Sequence, residues 1–279
     1  MRATQQFQPQ KCPNTEEPSL KTDNYQMTKL SSQECLVLAD FLGDTPLTVI
    51  SASRLKQGMC DAYIAGTLPD VNAALVFDAF CPDEPCGFGT DADALWQLLK
   101  ATDGWGCINV DNACAASLGA LIEADRGTSI RYYGDVCHAL LEPVQCYPNE
   151  AVRLLTLADV QRLTEAPVEV QGNGYKTHRA MLTEGIAAGA IAEGAIVAIA
   201  HTYAETDLHA DIGVSTLEAW REKGFATAAA SLVAQEIQAR GKVPAWSCGE
   251  DNFASLRVAE KLGFTEIGRR TYVIPVESE

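Results

Sequence analysis

Basic residues are scarce in this chain. It has 21 Lys and Arg against 37 Asp and Glu, a net charge of −16. Such a field repels phosphate backbones, which argues against nonspecific nucleic-acid binding and favours a cationic partner or an amine substrate. The deficit is uneven, with 20 acids and 9 bases in residues 1–150 and 17 acids and 12 bases in the rest. No CxxC pair occurs, and the four histidines do not sit at zinc spacing beside the ten cysteines, so no metal site is expected. Nine of those cysteines precede residue 151; without a signal peptide ahead of them (the start, MRATQQFQPQ, is polar), reduced thiols in a cytoplasmic protein are expected. There is no GxxxxGK[ST] loop and no GxGxxG fingerprint. The one long apolar run, residues 186–204, carries Glu193-Gly194 in its middle, which suits a hairpin of two strands better than a membrane span.

With 47% apolar and 21% charged residues, the 279-residue chain has the make-up of a globular α/β protein. Residues 1–28 are polar and read as a flexible leader, residues 29–150 as an N-terminal α/β domain, and residues 151–279 as a second domain. Expected helices in the first half cover 31–43, 91–101 and 113–125. Expected strands cover 62–66, 73–79 and 106–110, with a further strand opening 130–144. The second half is more legible. A strand begins at Arg153, helices cover 157–165 and 176–184, and strands cover 186–192, 195–205 and 211–216. A long Ala-rich helix follows over 224–240, then a strand at 243–248, a helix over 252–262 closed by Gly263, and a last strand at 271–276. The order is β-α-α-β-β-β-α-β-α-β.

The chemistry concentrates in Arg221-Glu222-Lys223-Gly224-Phe225-Ala226-Thr227, between a strand and the Ala-rich helix. Gly224 and Ala226 let a ligand approach the backbone. The first amides of a helix have no internal partners and lie at its positive end, where phosphate binds. Arg221 and Lys223 add charged donors. A diphosphate is the guest this loop suits.

In this context the segment DIGVSTLEAWREKGFATAAASLVAQEIQARG resembles the central motif of the GNAT acyltransferase superfamily. The family's Q/R-x-x-G-x-G/A is read at Arg221 to Ala226. A second motif runs from Asn252-Phe-Ala-Ser255 to Glu260-Lys261-Leu262-Gly263-Phe264. The P-x-W strand and AEKLGF helix resemble the subgroup that includes antibiotic self-resistance N-acetyltransferases. The resemblance covers residues 151–279 and implies a GNAT fold: a mixed, mostly antiparallel sheet with splayed middle strands (211–216 and 243–248), flanked by helices. By analogy, the N-terminal α/β domain is a degenerate copy covering the acceptor side.

The resemblance also implies acetyl-CoA as co-substrate, without a metal. Val214, Ser215 and Thr216 would hold its pantetheine arm by backbone groups. The amides of Arg221, Glu222, Lys223, Gly224, Phe225 and Ala226 would hold the pyrophosphate as Thr227 enters the helix, with Asn252 and Ser255 on the other side. The implied reaction is direct attack by a primary amine of a small-molecule acceptor, with no nucleic acid or membrane partner. The amide of Val214 is the expected oxyanion donor. Asp211, Glu205 and Glu218 are the candidate bases, alongside His201 and His209. Where many family members place a tyrosine that protonates the thiolate, this chain has Ala259, leaving Tyr272, Tyr203 or water for that role. The alternative is a non-catalytic acyl-CoA-binding sensor. The acceptor and the oligomeric state are not legible in the sequence.

Overall fold

The computed structural model describes residues 27–276; the expected leader at 1–28 lies almost wholly outside the described residues. Ten elements come first: β1 (Met27–Lys29), α1 (Ser32–Leu42), α2 (Val49–Gln57), β2 (Cys60–Thr67), β3 (Asp70–Asp78), β4 (Cys81–Phe88), α3 (Ala92–Lys100), β5 (Ile108–Asp111), α4 (Asn112–Arg126) and β6 (Ser129–Ala139). Then come β7 (Val152–Leu154), α5 (Val160–Glu165), α6 (His178–Glu184), β8 (Ala187–Ala192), β9 (Ala195–Glu205), β10 (His209–Thr216), α7 (Phe225–Ala239), β11 (Val243–Gly249), α8 (Phe253–Leu262) and β12 (Thr265–Val276). The same β-α-α-β-β-β-α-β-α-β order therefore occurs twice.

Local signals set several helix ends. Ser31 and Glu34 form a capping box at the start of α1, and Gly43 ends it. Asn252 caps α8, and Gly263 closes it in the left-handed region. The sequence reading did not assign α2 or β4, and β12 begins six residues before the expected Thr271.

The twelve strands of the described residues form one sheet, in the order β1-β2-β3-β4-β5-β12-β6-β11-β10-β9-β8-β7. It is a mixed α+β fold in which β4–β5 and β10–β11 are the parallel pairs and the other pairings are antiparallel. The last strand of each ten-element unit lies in the other unit's part of the sheet. β6 pairs with β11 and β12, while β12 pairs with β5 and β6. Hydrogen bonding thus runs across the boundary expected at residue 150.

Each unit has its own core. In the first, Leu95, Leu98 and Leu99 of α3 and Leu118 and Ile122 of α4 pack on Leu75, Ile108 and Val110, joined by Val273 of β12. In the second, Ala229, Ala230, Val233, Ala234 and Ile237 form one face of α7. Their small side chains seat the helix against Ala188, Ala200, Ala210, Ile212 and Trp246.

The two units are joined on the other face of the sheet by a fully buried guanidinium. Arg54 of α2 donates to Asp78 Oδ1 at 2.9 Å, to Gly174 O at 3.3 Å and to Tyr203 O at 3.1 Å. Its Cζ lies 4.9 Å from the centre of the Phe80 ring and 4.6 Å from the centre of the Tyr203 ring. Tyr203 in turn donates to Asp78 Oδ2 at 2.8 Å. Removing one partner of a buried ion pair strands the other, so Arg54→Ala is expected to lower unfolding stability by about 3–5 kcal/mol. Urea denaturation of the variant checks this.

Candidate functional site

Strands β10 and β11 pair only at His209–Val243, Ala210–Pro244 and Asp211–Ala245. Past that point they part. β10 keeps its partner β9 as far as Thr216, and β11 keeps β6 as far as Gly249. The edge of β10 that faces β11 therefore has peptide groups free from Ile212 onward, available to an extended ligand arm as an added strand would be.

A groove of about 720 Å³ opens from this gap on the α7 side. Val214, Ser215 and Thr216 form its β10 wall; Arg221, Glu222, Gly224, Phe225, Ala226 and Thr227 form its end; Asn252 and Ser255 lie across it on α8. The fold thus gathers nearly every residue that the sequence assigned to the cofactor. Lys223 is the exception: its Nζ sits 4.1 Å from the centre of the Trp220 ring. Asn252 Oδ1 accepts from the Ser255 amide, and the Ser255 hydroxyl accepts from Trp246 Nε1 at 2.9 Å. These bonds fix the α8 wall.

The end of the groove is the start of α7. Gly224 occupies the cap position at φ 76°, where a side chain would be strained, and no side chain caps the helix. The first helical bond runs from the Ala228 amide to Gly224 O. The amides of Phe225, Ala226 and Thr227 thus have no helical partner. Arg257 and Lys261, four residues apart on α8, also line the groove and were missed by the sequence reading. Their four-residue spacing, on the α8 face that also carries Ala254 and Val258, is the signal that could have found them. With Arg221 they place three cations around unpaired amides in an acidic protein. The Thr216 hydroxyl on the wall is buried without a partner. This donor set suits a diphosphate.

The corresponding place in the first unit is built differently. Asp91 caps α3, its carboxylate accepting from the Ala94 amide at 3.0 Å, and Asp93 follows in the first turn. Carboxylates thus stand where α7 offers free amides. β4 and β5 pair only at Cys86–Asn109, and Arg270 of β12 bridges them, donating to Gly87 O at 2.7 Å and Asn109 O at 3.0 Å.

The sheet's other face carries the remaining candidates. Directly opposed strand residues share a face. Asp211, Ala245 and Ala139 are in register, so Asp211 points away from Ala210, Ile212 and the α7 core. It lies at the last paired position before the strands part, beside a bulge in β10. Asp211 is 6% exposed, and no hydrogen bond or ion pair to another described residue satisfies its carboxylate. Burial, reinforced by the charge of Asp135 and opposed by Arg54, pushes its pKa up to about 7.

The other candidates are elsewhere. Glu205 lies beyond the closed end of the strand pair, bonded to Lys242 at 2.6 Å with Arg240 at 3.7 Å. Tyr272 pairs with Asn109 and Tyr133 in the exchanged strands, away from the groove, and burial raises its pKa. Tyr203 is tied to Asp78. His209 Nδ1 is 2.7 Å from Asp44, and the buried His201, its pKa lowered by burial to about 4, contacts Asn173 through Nε2. Glu218 lies in the 3-10 turn after β10. Cys248 packs beside the Trp246 core, its thiol pKa raised by burial. Ala259 is fully buried.

The raised pKa of Asp211 has a stability consequence. Its folded pKa of about 7 exceeds the unfolded value near 3.9. The folded state holds the extra proton, so the cost of ionising this site is absent below about pH 4 and complete above about pH 7. Asp211→Asn is therefore expected to raise the melting temperature at pH 8 and to lose that advantage at pH 4. Calorimetric scans at the two pH values check this.

Residues 169–273 match the family model described as GNAT acetyltransferase. A comparison with curated proteins gave no match. Among solved structures, the chain resembles a GCN5-related N-acetyltransferase-like protein from Streptococcus suis, with 22% identity, 88% of this chain and 100% of that chain covered, and a TM-score of 0.63. It also resembles an acetyltransferase from the GNAT family of Colwellia psychrerythraea (11% identity, 91% and 100% covered, TM-score 0.56). A third likeness is to a tandem GNAT protein from the clavulanic acid biosynthesis pathway (14% identity, 91% and 99% covered, TM-score 0.53). These likenesses are of fold. The match to the GNAT acetyltransferase model covers residues 169–273, and across the longer stretch these structures share the chain's fold.

Proposed function

We propose that the protein is an acetyl-CoA-dependent N-acetyltransferase that acts on a primary amine of a small acceptor by direct attack, in the cytoplasm and without a metal. The observation that carries this is the uncapped start of α7 at the mouth of the parted strands, with Arg221, Arg257 and Lys261 around it. Val214, Ser215 and Thr216 would hold the pantetheine arm by their backbone. The amides from Arg221 to Thr227 would hold the pyrophosphate, Lys223 contributing its peptide group while its side chain rests on Trp220. Bound acetyl-CoA supplies an acetyl group on a thioester. Residues 151–279 carry this groove, while residues 29–150 cover the acceptor face with α2. The family matches leave a place in the self-resistance subgroup as part of this proposal.

An attacking amine must first lose a proton. Asp211 is the candidate to take it, because it is buried at the point where the strands part and ionises near neutral pH. A peptide N–H on the free edge of β10, that of Val214 in our assignment, would stabilise negative charge developing on the carbonyl oxygen. The second reading, a non-catalytic acyl-CoA sensor, is favoured by one observation. Ala259 offers no acid, and Tyr272 and Tyr203 are held away from the groove. Thiol release from acetyl-CoA with a panel of amines separates the two, since binding without turnover on any amine indicates the sensor.

Gly224→Glu is expected to abolish acetyl-CoA binding, because a carboxylate would stand among the amides that receive the diphosphate. Unchanged affinity by calorimetry would contradict the assignment. Asp211→Asn is expected to lower kcat at pH 7.5 by roughly 10²-fold or more, with a smaller change in the KM for acetyl-CoA. The limb of the pH–rate profile near pH 7 should flatten, and a profile identical to that of the native protein would remove Asp211 from this role.

A further inference from the structure

The groove beside α7 holds more positive charge than a diphosphate needs. Among the described residues that line it, Arg221, Arg257 and Lys261 stand against a single carboxylate, Glu222. The open amides of α7, with Arg221 at the loop before them, already suffice for a diphosphate. Arg257 and Lys261 lie apart from that loop, on α8, and the groove of about 720 Å³ extends from the loop to both of them. One ligand can therefore reach the loop and this pair together.

The pair is costly as it stands. Residues four apart on a helix are neighbours, and like charges there repel. Both side chains are exposed, and no hydrogen bond or ion pair to another described residue holds either of them, although Glu260 follows Arg257 by three residues. Acids outnumber bases 37 to 21 in this chain, so partners are plentiful and neither cation has taken one. The helix dipole favours a cation at Lys261, in the last turn of α8, but gives no reason for Arg257. The backbone that carries them is fixed. The connector after β6 ties the end of α8 to α7: Tyr147 donates its hydroxyl to Lys261 O at 2.8 Å and its amide to Ser231 Oγ at 3.4 Å. An anion set between the two cations turns their repulsion into attraction.

We propose that Arg257 and Lys261 together hold a phosphate monoester separate from the diphosphate, the one that coenzyme A carries on its ribose, and that they make the protein distinguish coenzyme A from its 3′-dephospho form. This rests on the acetyl-CoA reading for the identity of the ligand, but the binding it describes does not depend on turnover. A phosphate monoester is close to doubly charged at neutral pH and so has use for two cations. Arg257 offers it paired N–H donors in a planar fork, and Lys261 a mobile point charge.

The test is titration calorimetry of the full chain with coenzyme A and with 3′-dephospho-coenzyme A as probes, at one salt concentration. Coenzyme A is expected to bind at least about tenfold more tightly, the worth of one good charge-assisted contact. The double variant Arg257→Gln, Lys261→Gln should weaken coenzyme A and leave the dephospho form nearly unchanged, which brings the ratio close to one. Arg257→Lys should keep part of it. Equal affinity of the two ligands for the native protein overturns the proposal, as does an unchanged ratio in the double variant. Both positions are exposed, and the single variants Arg257→Gln and Lys261→Gln take the place of the double one if it folds poorly. Equal binding of both ligands leaves the acetyl-CoA reading intact, whereas binding of neither removes that reading along with this one.

Discussion

The gap between β10 and β11 is the constraint on which the site depends. Two parallel strands bond for three residue pairs and then separate, although each remains fixed by its other neighbour. A free strand edge inside a sheet is costly unless something pairs with it. The same parting leads directly to the start of α7, where Gly224 leaves the first amides open. Free strand groups and free helix amides thus form one continuous run of backbone donors and acceptors along the groove.

The sheet can open there because its centre is held elsewhere. β6 and β12 are paired over their whole length and tie the two ten-element units together. Arg54 adds a second tie on the face away from α7, bonding to carbonyls of the other unit. The exchange has a chemical consequence as well. It carries Asp135 into the field of Asp211, and it carries Arg270 into the first unit, where it bridges β4 and β5. Twice-used architecture therefore yields two unlike places: one is open and lined with cations, and the other is bridged by a guanidinium with a carboxylate on its helix amides.

Much of this was legible residue by residue. Ser31 with Gly43, and Asn252 with Gly263, mark helix ends because the capping groups are local. The loop at Arg221–Thr227 was legible because a glycine before an Ala-rich helix limits what can sit there. Helix α2 was not, because its polar residues Ser51, Ser53 and Arg54 are buried between the units and blur the apolar periodicity. Strand β4 (CPDEPCGF) was not legible either, because Pro and Asp are poor strand formers. Its two prolines are tolerated where the strand has scarcely any partner on its β5 side. Arg257 and Lys261 were passed over because two exposed bases on a helix look like solvated surface until the groove gives them a direction.

By itself the sequence determined the element order of the second unit, the caps, and the loop that offers unpaired amides. These depend on neighbours within a few residues. Tertiary structure alone decided which unit each final strand joins, because the partners of β6 and β12 lie more than a hundred residues away in the chain. It also decided the state of Asp211. An aspartate in a strand is an ordinary acid until burial and a second carboxylate from a distant segment remove the water and add the charge that raise its proton affinity.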